Sequence, residues 1–182
     1  MAAEYVVSGF SLASAGPAYT DRMEDADRAY VAGLKMLGRR ELSESQVRTR
    51  LARKEFESED IDTAVARLRR ERALDDHRTA LACARTEVRI KHRGRARVLR
   101  QVESLGIART VARAAVAEVF GELDENVLLE QALERRLRRG PLTDMATARR
   151  VHRYLLAQGF DPARVSSAIR GRIKNIRLTN DD

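Results

Sequence analysis

Tryptophan is missing from this 182-residue chain, proline occurs three times, cysteine once, and aromatic residues make up only 4%. What fills the sequence instead is Ala, Leu, Arg and Glu, the composition of long helices, and the expected fold class is all-α. The lone Cys83 excludes an intramolecular disulfide and suits a reducing compartment; beside Leu81, Ala82 and Ala84 it reads as a small buried hydrophobe. There is no run of about 18 apolar residues that could cross a membrane, and Met1–Glu4 lacks the basic lead of a signal peptide. A cytoplasmic protein with no membrane partner is expected.

Catalytic patterns are also lacking. His77, His92 and His152 are far apart and match no metal-ligand spacing, and neither a GxxxxGK[ST] nor a GxGxxG loop occurs. The carboxylate pair Asp75-Asp76 stands just before a helical stretch, where an N-cap is its ordinary role. No metal, no cofactor and no enzymatic activity are expected.

Charge is abundant and uneven. The net charge is +8, yet residues 1–27 hold five acids and one base, so the remainder is more basic than the total implies. Lysine appears only at Lys35, Lys54, Lys91 and Lys174, leaving Arg, with its planar fork, as the main cation. Such a balance favours a polyanion or an acidic protein surface as partner.

Self-similarity is the most informative feature. Val47, Leu51, Phe56, Ile61 and Val65 recur as Val98, Val102, Ile107, Ala112 and Val116, and again as Val151, Leu155, Phe160, Val165 and Ile169. Within each copy the steps are four, five, five and four residues, and the copies lie 51 and then 53 residues apart. A pair four apart occupies one face of a helix, so each copy describes two helices with a turn between them. In the later copies that turn carries Gly106 or Gly159, residues able to end a helix in the left-handed conformation. Ser43 with Gln46 gives a capping-box signal, and Ser58 and Asp161-Pro162 mark later helix starts.

A further helical stretch precedes each copy, at about residues 22–37, 75–91 and 124–138. The chain therefore divides into a flexible arm (1–21), three three-helix repeats (22–73, 74–123 and 124–175) and a tail (176–182). One such unit is too small to bury its apolar stripes alone, so the units should stack into an elongated array that is free to curve. A single compact helical bundle is the competing arrangement.

Three cationic clusters are candidate binding residues. Arg89, Lys91, Arg93, Arg95, Arg97 and Arg100 straddle Gly94, with His92 inside the run and Glu87 as its nearby acid. Arg135, Arg136, Arg138 and Arg139 end a helix, where cations also offset the helix dipole. Arg149, Arg150 and Arg153 form the third cluster, with Arg149 and Arg153 one turn apart. A helix-turn-helix reader of the major groove is less suited, because the third helices offer Arg109, Arg113, Arg164 and Arg170 for phosphates but few Asn or Gln for bases.

Leu74-Asp75-Asp76, then Arg93-Gly94, then the run from Arg97 to Ile107 resemble the middle repeat of the RecX family of recombination regulators, and residues 148–160 resemble its third repeat. The resemblance spans roughly residues 26–173. Two positions depart from it: Glu55 replaces the usual Gly of the first repeat, and Thr79 replaces an aromatic after the Asp pair. The resemblance implies a monomeric, non-catalytic regulator of recombination, DNA repair and the SOS response. It would lie along a RecA recombinase filament on single- or double-stranded DNA and restrain ATP turnover, strand exchange and filament growth. The alternative is a helical protein that binds DNA or RNA without a recombinase. Charge reversal at Arg95, Arg97 and Arg100 is expected to weaken filament binding.

Overall fold

The computed structural model describes the backbone of residues 17–179 and the side chains of residues 24–173. Among them are nine helices and no strand: α1 (Pro17–Leu37), α2 (Glu44–Ala52), α3 (Ser58–Arg70), α4 (Asp76–Arg89), α5 (Arg95–Glu103), α6 (Arg109–Gly121), α7 (Glu125–Leu137), α8 (Met145–Ala157) and α9 (Pro162–Thr179). Helices pack chiefly in threes, α1–α3, α4–α6 and α7–α9, hereafter units 1, 2 and 3. None of the described helices is long and apolar enough to cross a membrane.

The repeat pattern maps onto burial. All of its apolar positions lie in the core except Phe56, which is half-buried. The turn closing each middle helix is left-handed at the same place, with φ of +64° at Glu55, +77° at Gly106 and +90° at Gly159. After it the chain folds back: the Phe56 N–H donates to Leu51 O (3.4 Å) and the Phe160 N–H to Leu155 O (3.3 Å). Glu55 thus takes a conformation that a Cβ makes costly by about 1–2 kcal/mol.

Caps fix the helix starts. Ser43 and Gln46 form the reciprocal capping box of α2, and Asp75, Asp124, Asp144 and Asp161 accept N–H bonds at the starts of α4, α7, α8 and α9. Two helix starts differ from expectation. Glu57, not Ser58, stands at the N-cap of α3 and makes no side-chain bond, so its first turn relies on Glu59 and Asp60 against the helix dipole. Helix α1 begins at Pro17, inside the expected arm, because Pro with its fixed φ suits a first helical position; the rest of that arm lies outside the described residues. At the other end α9 runs through Thr179 into the expected tail.

Two apolar clusters form the core. One belongs to unit 1, and the other runs continuously through units 2 and 3. Between units the middle helices meet head to tail. At the 2–3 junction the Gly94 N–H donates to Gln158 O (2.9 Å), the Ala96 N–H to Gly159 O (3.2 Å) and Arg97 Nη1 to Ala157 O (2.9 Å). The start of α5 is thereby capped by the last carbonyls of α8, satisfying orphan groups of both helix ends. At the 1–2 junction the Ser43 hydroxyl donates to Leu105 O, and the Glu44 N–H donates to Asp76 Oδ1 (2.8 Å). The Asp75-Asp76 pair therefore caps two different helices, Asp75 its own and Asp76 the α2 of the neighbouring unit. Thr79 is buried there and donates to Leu42 O (3.2 Å), a hydrogen bond a phenylalanine side chain could not make.

Candidate functional site

The cationic runs separate once the helices are placed. Lys91 and Arg93, in the link between α4 and α5, converge on Arg135 and Arg136 in the last turn of α7 and on Arg139 just beyond it. With Tyr154 and Gln158 of α8 they line a notch of about 190 Å³ at the 2–3 junction. Among the described residues no carboxylate lines it.

Two side chains of this notch are positioned by a buried acid. The Glu87 side chain is only 4% exposed, and it accepts from Lys91 Nζ (2.6 Å) and from Arg93 Nη1. A buried charge must be paired, so Glu87 holds both cations in place instead of leaving them to solvent. Arg135 Nη1 donates to Ile90 O at 2.9 Å, tying the end of α7 to the end of α4. The Arg136 guanidinium lies 5.8 Å from the centroid of the Tyr154 ring. What remains is a cavity faced by guanidinium and ammonium groups, suited to a tetrahedral oxyanion such as a phosphate.

Other expected site residues do not join it. Arg95 pairs with Glu125 of α7 (2.7 Å) and lies over Phe120, its guanidinium carbon 4.8 Å from the ring centroid. Arg97 is half-buried and bonded to Ala157 O, so reversing it would break a junction as well as a charge. The set Arg95, Arg97 and Arg100 is thus a poor probe of binding, since two of its members hold units together. Arg89, Arg100 and Arg138 are exposed and have no carboxylate partner among the described residues. Arg150 donates to Thr147 Oγ1 (3.0 Å). Arg149 and Arg153 flank a separate groove of about 570 Å³ between α8 and α9, together with Arg170 and an apolar floor of Ile169 and Ile173.

His92 takes a positive φ of +50°, and its Nδ1 is buried without a hydrogen-bond partner. Of the Arg residues on third helices, Arg109 pairs with Glu103 (3.4 Å) and Arg164 with Asn126 (3.4 Å). Cys83 is half-buried against the core, and burial pushes its thiol up from its ordinary range, away from reactivity. Among the described residues no group of three or more His, Cys, Asp or Glu could hold a metal ion.

Sequence reasoning missed Tyr154 and Gln158 in the notch and the burial of Glu87. Only the last left a signal: an acid one helical turn before Lys91, on the same face as the core residues Ala80 and Ala84.

Comparison with known proteins agrees with this architecture. Residues 29–68 match the model of the first three-helix domain of RecX. The regulatory protein RecX of Pelodictyon phaeoclathratiforme is 30% identical over 149 residues, covering 80% of this chain and 89% of that protein. The one from Syntrophotalea carbinolica is 33% identical over 143 residues, covering 74% and 90%. The fold is shared with the crystal structure of RecX from Lactobacillus salivarius (TM-score 0.72, 17% identity, 82% of this chain and 97% of that one). A second crystal structure of regulatory protein RecX gives a TM-score of 0.74 at 21% identity, covering 91% and 81%. With relatives this similar across nearly their whole length, the chain belongs to the RecX family of regulatory proteins.

Proposed function

We propose that this protein is a non-catalytic, monomeric, cytoplasmic regulator that binds a RecA recombinase filament on DNA and restrains its ATP turnover, strand exchange and growth. The supporting observation is the notch at the 2–3 junction, where five cations from two distant stretches of sequence meet without a lining carboxylate. Phosphates along a nucleic-acid backbone, or acidic side chains along a filament groove, are the partners such a surface attracts. Three similar units in a row suit a partner that is itself repetitive, because individually weak contacts add through effective concentration.

The test is the DNA-dependent ATPase rate of the cognate RecA protein, titrated with this chain. Turnover should fall well below one regulator per recombinase, and the double variant Arg136→Glu, Arg139→Glu should lose at least about tenfold in potency while keeping its helical circular-dichroism spectrum. Among the described residues neither side chain makes a hydrogen bond or ion pair, and Arg136 only lies over the exposed Tyr154 ring, so the variant should fold. An unchanged ATPase alongside tight binding to bare DNA would replace this reading with direct nucleic-acid binding.

A further inference from the structure

Units 2 and 3 each carry a groove between their first and middle helices that the preceding unit fills. In unit 2 the occupant is the segment leading into α2: Glu41 pairs with Arg78 (2.9 Å), Leu42 O accepts from Thr79, and Ser43 donates to Leu105 O. In unit 3 it is the segment leading into α5, with Arg95 on Glu125 and Gly94 and Ala96 on the last carbonyls of α8. Both occupants are the start of a helix, and each makes one ion pair to the first helix of the groove, Glu41 to Arg78 and Arg95 to Glu125.

Unit 1 has a corresponding groove that no described residue fills. This groove has a volume of about 860 Å³ and an apolar floor of Val31, Ala32, Met36 and Phe56. Val31 is 45% exposed. Along its rim stand Lys35, Arg39, Arg40, Arg50 and Lys54, none with a carboxylate partner among the described residues. Its one acid, Asp27, is already bonded to Arg67 (2.9 Å). The positions correspond: Lys54 is the counterpart of Leu105 by the 51-residue offset, and Lys35 that of Arg135 when the first helices are aligned on buried Ala29, Ala80 and Leu129.

We propose that this groove of unit 1 docks an acidic, helix-initiating segment of a partner protein, its carboxylates set on the rim formed by Lys35, Arg39, Arg40, Arg50 and Lys54. The cationic rim selects an acidic occupant, and the apolar floor receives its hydrophobic face. One difference limits the depth of docking. A Cβ at Gly106 would collide with Ser45, and one at Gly159 with Arg97, whereas Glu55 carries a side chain at the same turn. The external segment therefore sits on the floor and rim, clear of the turn. This surface is separate from the cationic notch, and it can stand or fall without it.

The probe is a fluorescein-labelled peptide copying residues 41–52 with Arg48→Glu and Arg50→Glu, added to the full chain and read by anisotropy. Saturable one-to-one binding is expected. It should weaken at least about tenfold with Lys35→Glu, Lys54→Glu or with Val31→Asp in the protein, and with Glu41→Lys, Glu44→Lys in the peptide. Glu55→Gly should tighten it, because the peptide could then press onto the turn. Absence of binding, equal binding of a scrambled peptide of the same composition, or indifference to the rim and floor variants would overturn the proposal. Loss of binding through Arg78→Ala instead would overturn it too, by showing that the peptide displaces the internal segment at unit 2.

Discussion

The two junctions join equivalent surfaces by different means. At the 2–3 junction main chain meets main chain: Gly94 and Ala96 donate to Gln158 and Gly159, and the apolar core continues across. At the 1–2 junction side chains intervene, through Ser43, Asp76 and Thr79, and the core stops. A Cβ at Gly94 or Gly159 would strike neighbouring backbone, which makes the 2–3 junction intolerant of substitution at those two positions. Side-chain contact tolerates more and contributes a few hydrogen bonds, each worth about 1 kcal/mol net. Unit 1 is therefore expected to open more independently than units 2 and 3, which share one apolar core beneath the notch.

The most damaging way to break this contrast is Gly94→Ala. The new Cβ would lie 2.5 Å from the Gly159 carbonyl, against backbone that cannot swing aside. A loss of about 2–3 kcal/mol is expected in chemical denaturation, with the notch spread open, so potency against the filament should fall with stability. Ser43→Ala attacks the other junction. It removes half of the capping box and the bond to Leu105 O, for a loss of about 1–2 kcal/mol. Hydrogen exchange should quicken in α1–α3 and leave α4–α9 protected, if unit 1 opens separately. Uniform loss of protection would mean that the three units unfold as one.

The smallest effect sharpens the comparison by pH. Asp75 and Asp76 are adjacent, yet their carboxyls shift in opposite directions. The Arg78 N–H bonded to Asp75 holds its carboxyl below the ordinary range, while burial at the junction pushes Asp76 above it. A depressed folded value means that Asp75 stabilises the fold above the ordinary Asp pKa of about 4 and ceases to as pH falls through the depressed value. Asp76 has the reverse sign: its charge opposes folding at neutral pH, and that penalty fades as pH falls through the raised value. Asp75→Asn should then lower stability by about 0.5 kcal/mol at pH 7, with the deficit vanishing in acid. Asp76→Asn, which keeps an acceptor for the Glu44 N–H, should raise stability at pH 7 and converge on the parent in acid. Thermal melts of both variants across pH 3 to 7 check the signs.

Much of the fold was legible because helix periodicity is local. Val47 with Leu51, or Val151 with Leu155, declares a helical face whatever lies opposite, and the left-handed turns at Gly106 and Gly159 follow from the one residue without a Cβ. Even the departure at Glu55 was visible, and the turn kept its shape there because the flanking apolar contacts of Leu51 and Phe56 dictate it. The site was legible only in part. Lys91 and Arg93 could be named as cations, but so could Arg95 and Arg97, and nothing in spacing distinguishes a side chain facing a notch from one capping a neighbour's helix.

The sequence by itself determined the helices, their threefold repetition and the sign of the charge, since each depends on residues a few positions apart. Tertiary structure alone decided that Arg135, Arg136 and Arg139 meet Lys91 and Arg93, that Asp76 caps the helix of another unit, and that unit 1 carries a groove no described residue fills. These depend on how one rigid unit is set against the next. That setting is fixed by a few close approaches, Gly94 on Gly159 and Ser45 on Gly106, between residues some 60 positions apart in the chain.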